Sequence, residues 1–464
     1  MGLGLVLTFS IERLFSILER ARLGKMLESL RPRWHSSLTT LDALATTYSP
    51  LILSGLIALT TFQKLALILR TDGGGDLLGA DIPKSMMLIA GQNPYTSNPW
   101  ASPYPPFLLA LVGGIIRLTS GNTILATDTI GLISRNVRMT GLVADVLVAL
   151  LVFVTLRARG VSGLSALVPP ALFLALPSTS LSPYYWFNSD VLGYPILAAS
   201  VFALVVKRYF LGSVLLATAT IFKIHPILAI PLVFVWLVKR RGIAKTLPII
   251  ITTVSILSFG LALPAVLPGY LESVLGFNLS SGFGAGTSSF TMMNLLYAVF
   301  PSVLHFSLPA TVENQVWLAA TAAFFAAALG IVWSRARELN PVDTVAIGLL
   351  VWLIPLRQIY THYLVWAMVP LLMRGRLRQT LMLGSLLELA NTMSSWSWDL
   401  PPDPFPVLAT AYGFFVTSLV YFAVSATSLV FILRELGARR QAEIKLLDTS
   451  VFLARRQIPT ITSA

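Results

Sequence analysis

Cysteine is absent from all 464 residues, which excludes disulfides, thiolate nucleophiles and zinc–thiolate sites and leaves the redox compartment unreadable. Charge is scarce as well. Asp, Glu, Lys and Arg make up 11% of the chain, against about 25% in soluble domains. There is no Walker-type loop and no His-x-x-x-His pair, so nucleotide and zinc-protease chemistry have no motif to rest on. The short alternating strands of a β-barrel are missing too. In their place are long apolar runs, 55% hydrophobic residues and a mean hydropathy of +0.78.

A spanning helix needs roughly 20 mostly apolar residues. Runs of about that length recur near 49–69, 139–156, 162–180, 190–206, 209–222, 226–238, 245–268, 314–334, 342–356, 363–373, 379–393 and 408–433. The expected fold is therefore all-α: a polytopic membrane protein of about 12 transmembrane helices. The net charge of +13 is no argument for nucleic acid, because in such a chain the distribution of basic residues sets orientation. Clusters at Arg157/Arg159, Lys207/Arg208, Lys239–Arg241, Arg335/Arg337, Arg374/Arg376/Arg378 and Arg434/Arg439/Arg440 separate the spans and should all face the cytoplasm.

Whether they can depends on residues 105–119. Their apolar run is about 12 residues, too short to cross, and Pro105-Pro106 opens it. Read as a half-embedded helix in one large outer loop, 70–138, it puts 25 of the 33 Lys/Arg inside and 7 outside, with Lys64 alone in a span. Residues 1–45 lack a small-residue cleavage site and read as an amphipathic helix on the inner surface, with a misassigned start as the alternative. Residues 46–433 form the transmembrane domain and 434–464 a basic cytoplasmic tail. On this topology Asp72, Asp76, Asp81, Asn188, Asp190, Lys223, His225, Arg357, Tyr360 and His362 reach one outer end of the bundle. Ionisable groups near lipid are costly and mark function or internal pairing.

The outer loop carries Asp76 and Asp81, then Gly91-Gln92-Asn93-Pro94-Tyr95 and Tyr104-Pro105-Pro106. Later come Arg138 to Asp145 (RMTGLVAD), Asn188-Ser189-Asp190, Phe222-Lys223-Ile224-His225-Pro226 and Thr361-His362-Tyr363-Leu364-Val365-Trp366. In this order they resemble segments of the GT-C superfamily of glycosyltransferases. In particular they are similar to mannosyltransferases that use polyprenyl-phosphate mannose, such as the catalytic subunit of GPI mannosyltransferase I. The matches cover roughly 70–370. The family's Asp-x-Asp pair is replaced by Asp72-Gly-Gly-Gly-Asp76 and Asp81, its Lys-Ile-Tyr by Lys223-Ile224-His225, and its glutamine before tyrosine by His362.

The resemblance implies an inverting hexosyl transfer on the outer or lumenal side, from a polyprenyl-phosphate sugar to a lipid-linked or glycan acceptor. Asp76, with Asp81 in reserve, is the expected general base. Lys223 either holds the leaving phosphate or snorkels to the interface; Arg357 binds phosphate or pairs with a carboxylate such as Asp190. His362 bonds sugar or phosphate, or anchors the interface. Asn188 and Asp190 hold sugar hydroxyls or cap the next helix. Tyr95 and His225 complete the expected substrate-binding set. No cofactor is required, and a divalent metal is possible without being indicated. The expected location is multi-pass in a membrane, a prokaryotic plasma membrane in preference to the endoplasmic reticulum. A transporter or lipid-linked-sugar flippase is the rival reading, although no internal repeat supports it.

Overall fold

A computed structural model describes residues 37, 39–71, 73, 77–96, 105–120, 127–176, 189–271, 310–353, 363–375, 426–430 and 432–434. All regular structure among them is helical. In chain order the helices are α1 (Ser49–Arg70), α2 (Ile82–Ile89), α3 (Pro106–Ser120), α4 (Thr127–Ala158), α5 (Gly163–Ala175), α6 (Tyr194–Val205) and α7 (Tyr209–Phe222). They continue with α8 (Ala229–Arg241), α9 (Ile243–Leu257), α10 (Ala310–Arg335), α11 (Pro341–Leu353) and α12 (Tyr363–Leu372). Four helical segments, Thr39–Arg70, Ile130–Ala158, Ile243–Leu261 and Leu318–Arg335, are long and apolar enough to cross a bilayer. Five shorter apolar helices accompany them. The protein is thus membrane-embedded and helical. Most of the expected spans at 379–393 and 408–433 lie outside the described residues, as do nearly all of the N-terminal segment and the tail.

Helices α1 and α4 run antiparallel and set the frame. At one end the buried Arg138 guanidinium donates to Ile68 O, to Thr71 O and to Thr71 Oγ1 at 2.7 Å, satisfying carbonyls that a helix end leaves without partners. Further along, Lys64 Nζ meets Asp145 Oδ2 at 2.6 Å, both buried. At the far end Leu53 and Phe153 share a small cluster with Ala45 and Leu167. Residue 71 and residue 127 therefore stand at the same end of this pair, and the chain between them leaves and returns. Helix α3, about 22 Å long, does not cross as a single span between them. It packs instead on α2, where Gly113 lets Ser85 and Ile89 approach, and on α4.

Contacts gather five of the six basic clusters at the other end. Arg159 donates to Met373 O, and the next residue, Arg374, pairs with Asp343 Oδ1 at 2.8 Å. Asp343 is held in turn by Asn340 Nδ2 at 2.8 Å. Arg240 donates to Ala336 O, Arg337 O and Leu339 O, closing the end of α10. The Arg241 guanidinium lies 4.9 Å from the Tyr209 ring, beside the Lys207–Arg208 turn. Residues 39–47 meet the bundle at this end too, where Asp42 Oδ1 accepts from Leu164 N–H at 2.9 Å and caps α5.

The core between these ends is closely packed. An added Cβ on Gly348 of α11 would lie 2.5 Å from the Ala229 Cα of α8, so Gly348→Ala must push these helices away from each other. Thermal unfolding in detergent should show it destabilised by about 1–3 kcal/mol. Gly330 on α10 meets nothing within 4 Å, and Gly330→Ala is expected to stabilise by about 0.5–1 kcal/mol.

Candidate functional site

Helix α7 cannot run on into α8 because Pro226 lacks a backbone N–H and its ring would clash with the carbonyl four residues back, that of Phe222. Lys223 is extended, at φ −148° and ψ 130°, and His225–Leu228 form one 3-10 turn. The break turns Lys223 and His225 into the bundle, where both are buried. On the neighbouring segment a second 3-10 turn, Ser189–Leu192, presents Asp190 just ahead of α6.

These side chains form one cluster. Lys223 Nζ lies 2.8 Å from Asp190 Oδ1, and Trp366 Nε1 of α12 donates to Asp190 Oδ2 at 3.1 Å. The Trp366 ring packs edge-on against Tyr194 at 5.1 Å and His225 at 6.0 Å. Gly193 makes room for it, since a Cβ there would fall 2.6 Å from the indole. Trp352 Nε1 of α11 donates to His225 Nδ1 at 3.1 Å. An indole nitrogen only donates, so Nδ1 accepts and the imidazole carries its proton on Nε2. Asp190 is 2% exposed and Lys223 5%. That burial identifies the internal carboxylate partner as Lys223's present contact and rules out a snorkelling lysine. Asp190 likewise spends its oxygens on Lys223 and Trp366, while the residue preceding α6, Gly193, provides no side-chain cap.

Depth separates this cluster from the rim that the topology predicts. Trp352 stands nine residues above Asp343 on α11, about 14 Å. The rise from Tyr209 to Phe222 on α7 is about 20 Å, and from Trp366 to the Arg374 level about 12 Å. Against a hydrocarbon layer of about 30 Å, Asp190, Lys223 and His225 sit roughly half way from the basic end. The short helices α6, α7, α11 and α12 end there, whereas α1 and α4 continue.

A second group lies at the end opposite the basic clusters. Asp81, 1% exposed, closes a π turn (Leu77–Asp81) that leads into α2 and packs on α4. The Gly91–Tyr95 ledge folds on itself, Tyr95 N–H donating to Asn93 Oδ1 at 3.0 Å. It is tied to the segment after α9 by Asn93 Nδ2 to Pro268 O at 2.9 Å and by the Tyr95–Tyr270 edge contact at 5.1 Å. Gly269, at φ 78°, lets Tyr95 O approach where a Cβ would stand 2.6 Å away. Burial raises the Tyr270 phenol from 10.0 to about 12. Tyr95 is pushed further up, by burial first and by its neighbour Tyr270 second. The neutral Tyr270 phenol's contribution is thus complete below pH 10.0 and is lost as pH rises through about 12. The tyrosinate absorbance difference between wild type and Tyr270→Phe should titrate near the upper value; a midpoint near 10.0 would mean the contact is open to water.

Among the expected site residues, Asp190, Lys223 and His225 come together, and Asp81 and Tyr95 share the α2–α3 layer. Asp76, Asn188, Arg357 and His362 lie outside the described residues. Trp352 and the Asp343–Arg374 pair had no motif to announce them. The Lys64–Asp145 pair had a signal, since an ionisable residue within a span calls for a partner. Among the described residues no three His, Asp or Glu side chains gather as metal ligands. No protein-family model matches the chain, and no curated protein is significantly similar to it.

Proposed function

We propose that the protein is a membrane-embedded glycosyltransferase with a GT-C-like arrangement of about 12 spans. It moves a hexose, mannose by resemblance, from a polyprenyl-phosphate sugar to a lipid-linked or glycan acceptor on the side away from the basic clusters. The observation that carries the reading is a placement. The Asp81–Tyr95 loop and the Asp190–Lys223–His225 cluster both pack on α4 above the basic end, with residues 71 and 127 at the same end of the α1–α4 pair.

In this reading Asp76 removes the acceptor proton as the hydroxyl oxygen attacks the anomeric carbon. The sugar–phosphate bond breaks on the opposite face, inverting the centre. Asp81 is sealed behind the α2–α3 layer and supports the loop. Lys223, held by Asp190, and His225, held by Trp352, support the site from within the bundle. The growing charge on the leaving phosphate then falls to Arg357 and His362, which Trp352 and Trp366 bracket in sequence.

The mid-depth of the cluster and the break between α7 and α8 favour a second reading, a transporter or lipid-linked-sugar flippase, since such proteins place polar groups and interrupted helices near the midplane. One experiment separates the two. Purified protein in liposomes is given labelled polyprenyl-phosphate hexoses and a lipid extract of its source. Label appearing on a new acceptor supports the transferase. Label that changes leaflet without changing carrier supports the flippase and removes the transferase.

A further inference from the structure

Three helices on the basic face, α4, α8 and α12, close with a residue at positive φ, where glycine escapes the steric penalty of a side chain. Gly160 after α4, Gly242 after α8 and Gly375 after α12 follow that rule, with φ of 78°, 82° and 69°. The end of α6 does not. Its closing bonds are the usual ones for such a cap, Arg208 N–H to Ala203 O at 2.8 Å and Lys207 N–H to Leu204 O at 3.2 Å. The left-handed residue, at φ 64°, is nevertheless Lys207, the one non-glycine with positive φ among the described residues. A side chain kept where the backbone resists it points to a use for that side chain.

Lys207 is exposed, and so are Arg208, Arg241 and Lys245. Arg241 stacking on Tyr209 sets the α8–α9 turn beside the α6–α7 turn, which brings these cations onto adjoining loops. Among the described residues none of the four is paired with a carboxylate; the ion pairs at this end are Arg335–Glu338 and Arg374–Asp343. Like charges so close repel one another unless an anion lies between them. Immediately towards the bilayer, Leu211 and Leu247 are exposed, an apolar apron below a cationic shelf.

We infer that this shelf binds the headgroup phosphates of anionic phospholipids in the leaflet that meets the basic end. Free phosphate needs the cations alone; a lipid uses the apron as well. The site depends on membrane embedding and is independent of glycosyl transfer.

The test uses the full chain in neutral detergent with fluorescent phosphatidylglycerol as probe and phosphatidylcholine as control. Phosphatidylglycerol should bind more tightly, and the preference should weaken with salt. Each removed charge should lower affinity about fivefold, so Lys207→Gln, Arg208→Gln and Lys245→Gln combined should lower it about 100-fold. Lys207→Gly relieves the backbone while removing the charge: without lipid it should melt at or above the wild-type temperature, yet bind the probe about fivefold more weakly. That variant keeps the question answerable if the triple substitution misfolds. Unchanged binding in Lys207→Gly, or inorganic phosphate displacing the probe as well as unlabelled phosphatidylglycerol does, would overturn the inference.

Discussion

Asp190→Asn should destabilise the protein by about 3–5 kcal/mol, because it leaves the buried Lys223 ammonium facing an amide in place of a carboxylate. Lys223→Met should cost a similar amount by stranding the carboxylate with Trp366 as its neutral donor. The double variant removes both charges and should recover most of the loss, since the penalty comes from an unpaired ion and not from a missing contact. Unfolding in detergent reads all three. Single-variant losses under about 1 kcal/mol would place the pair in water, where such bridges contribute little. The double variant also separates two roles. If the pair only holds α6 against α7, transfer returns with stability; if it meets substrate, the protein refolds without activity.

Asp76→Asn is expected to reduce turnover by about 100- to 10,000-fold, the range for a lost general base, while leaving the melting temperature near that of wild type. Asp81→Asn should behave in the opposite way. Asp81 is buried at the start of α2, so its loss should loosen the α2–α3 layer and lower the melting temperature, with turnover of the folded fraction within a few-fold of normal. Initial rates of labelled-sugar transfer, normalised to folded protein, distinguish the two. The reverse pattern would make Asp81 the base. Wild-type rates in both would end the transferase proposal.

Much of the helical frame was legible in residue patterns. The run at 49–69 is α1, and the run at 209–222 is α7 to the residue. Basic residues between apolar runs anticipated which turns would share an end, and the contacts of Arg159, Arg374, Arg240 and Arg241 place them there. The length of α4 was not legible. Residues 127–138 mix Asp128, Arg135 and Arg138 with apolar positions, so a hydropathy window stops at 139 although the helix begins at Thr127. Depth was hidden for a related reason. An apolar run reports burial from water but not how far a helix rises, so the half-height endings of α6, α7, α11 and α12 put the Asp190 cluster lower than topology suggested. Pairing was the least legible. Asp190 meets Lys223 across 33 positions and Trp366 across 176, and no local pattern encodes partners that tertiary packing brings together.

From Arg138 to Arg159, α4 rises about 32 Å, close to the roughly 30 Å of a typical hydrocarbon layer. Its eleven residues before Arg138 extend about 16 Å farther. That overhang is a mast standing in the headgroup zone, stepped at its foot by Arg159 on Met373 and stayed at deck level by Arg138 on α1. A thinner bilayer makes a long helix lean. Because α3 and the Asp81 turn are rigged to this spar, its lean would swing them sideways together, and acyl-chain length becomes a dial on where the Asp81 turn stands relative to the Asp190 cluster.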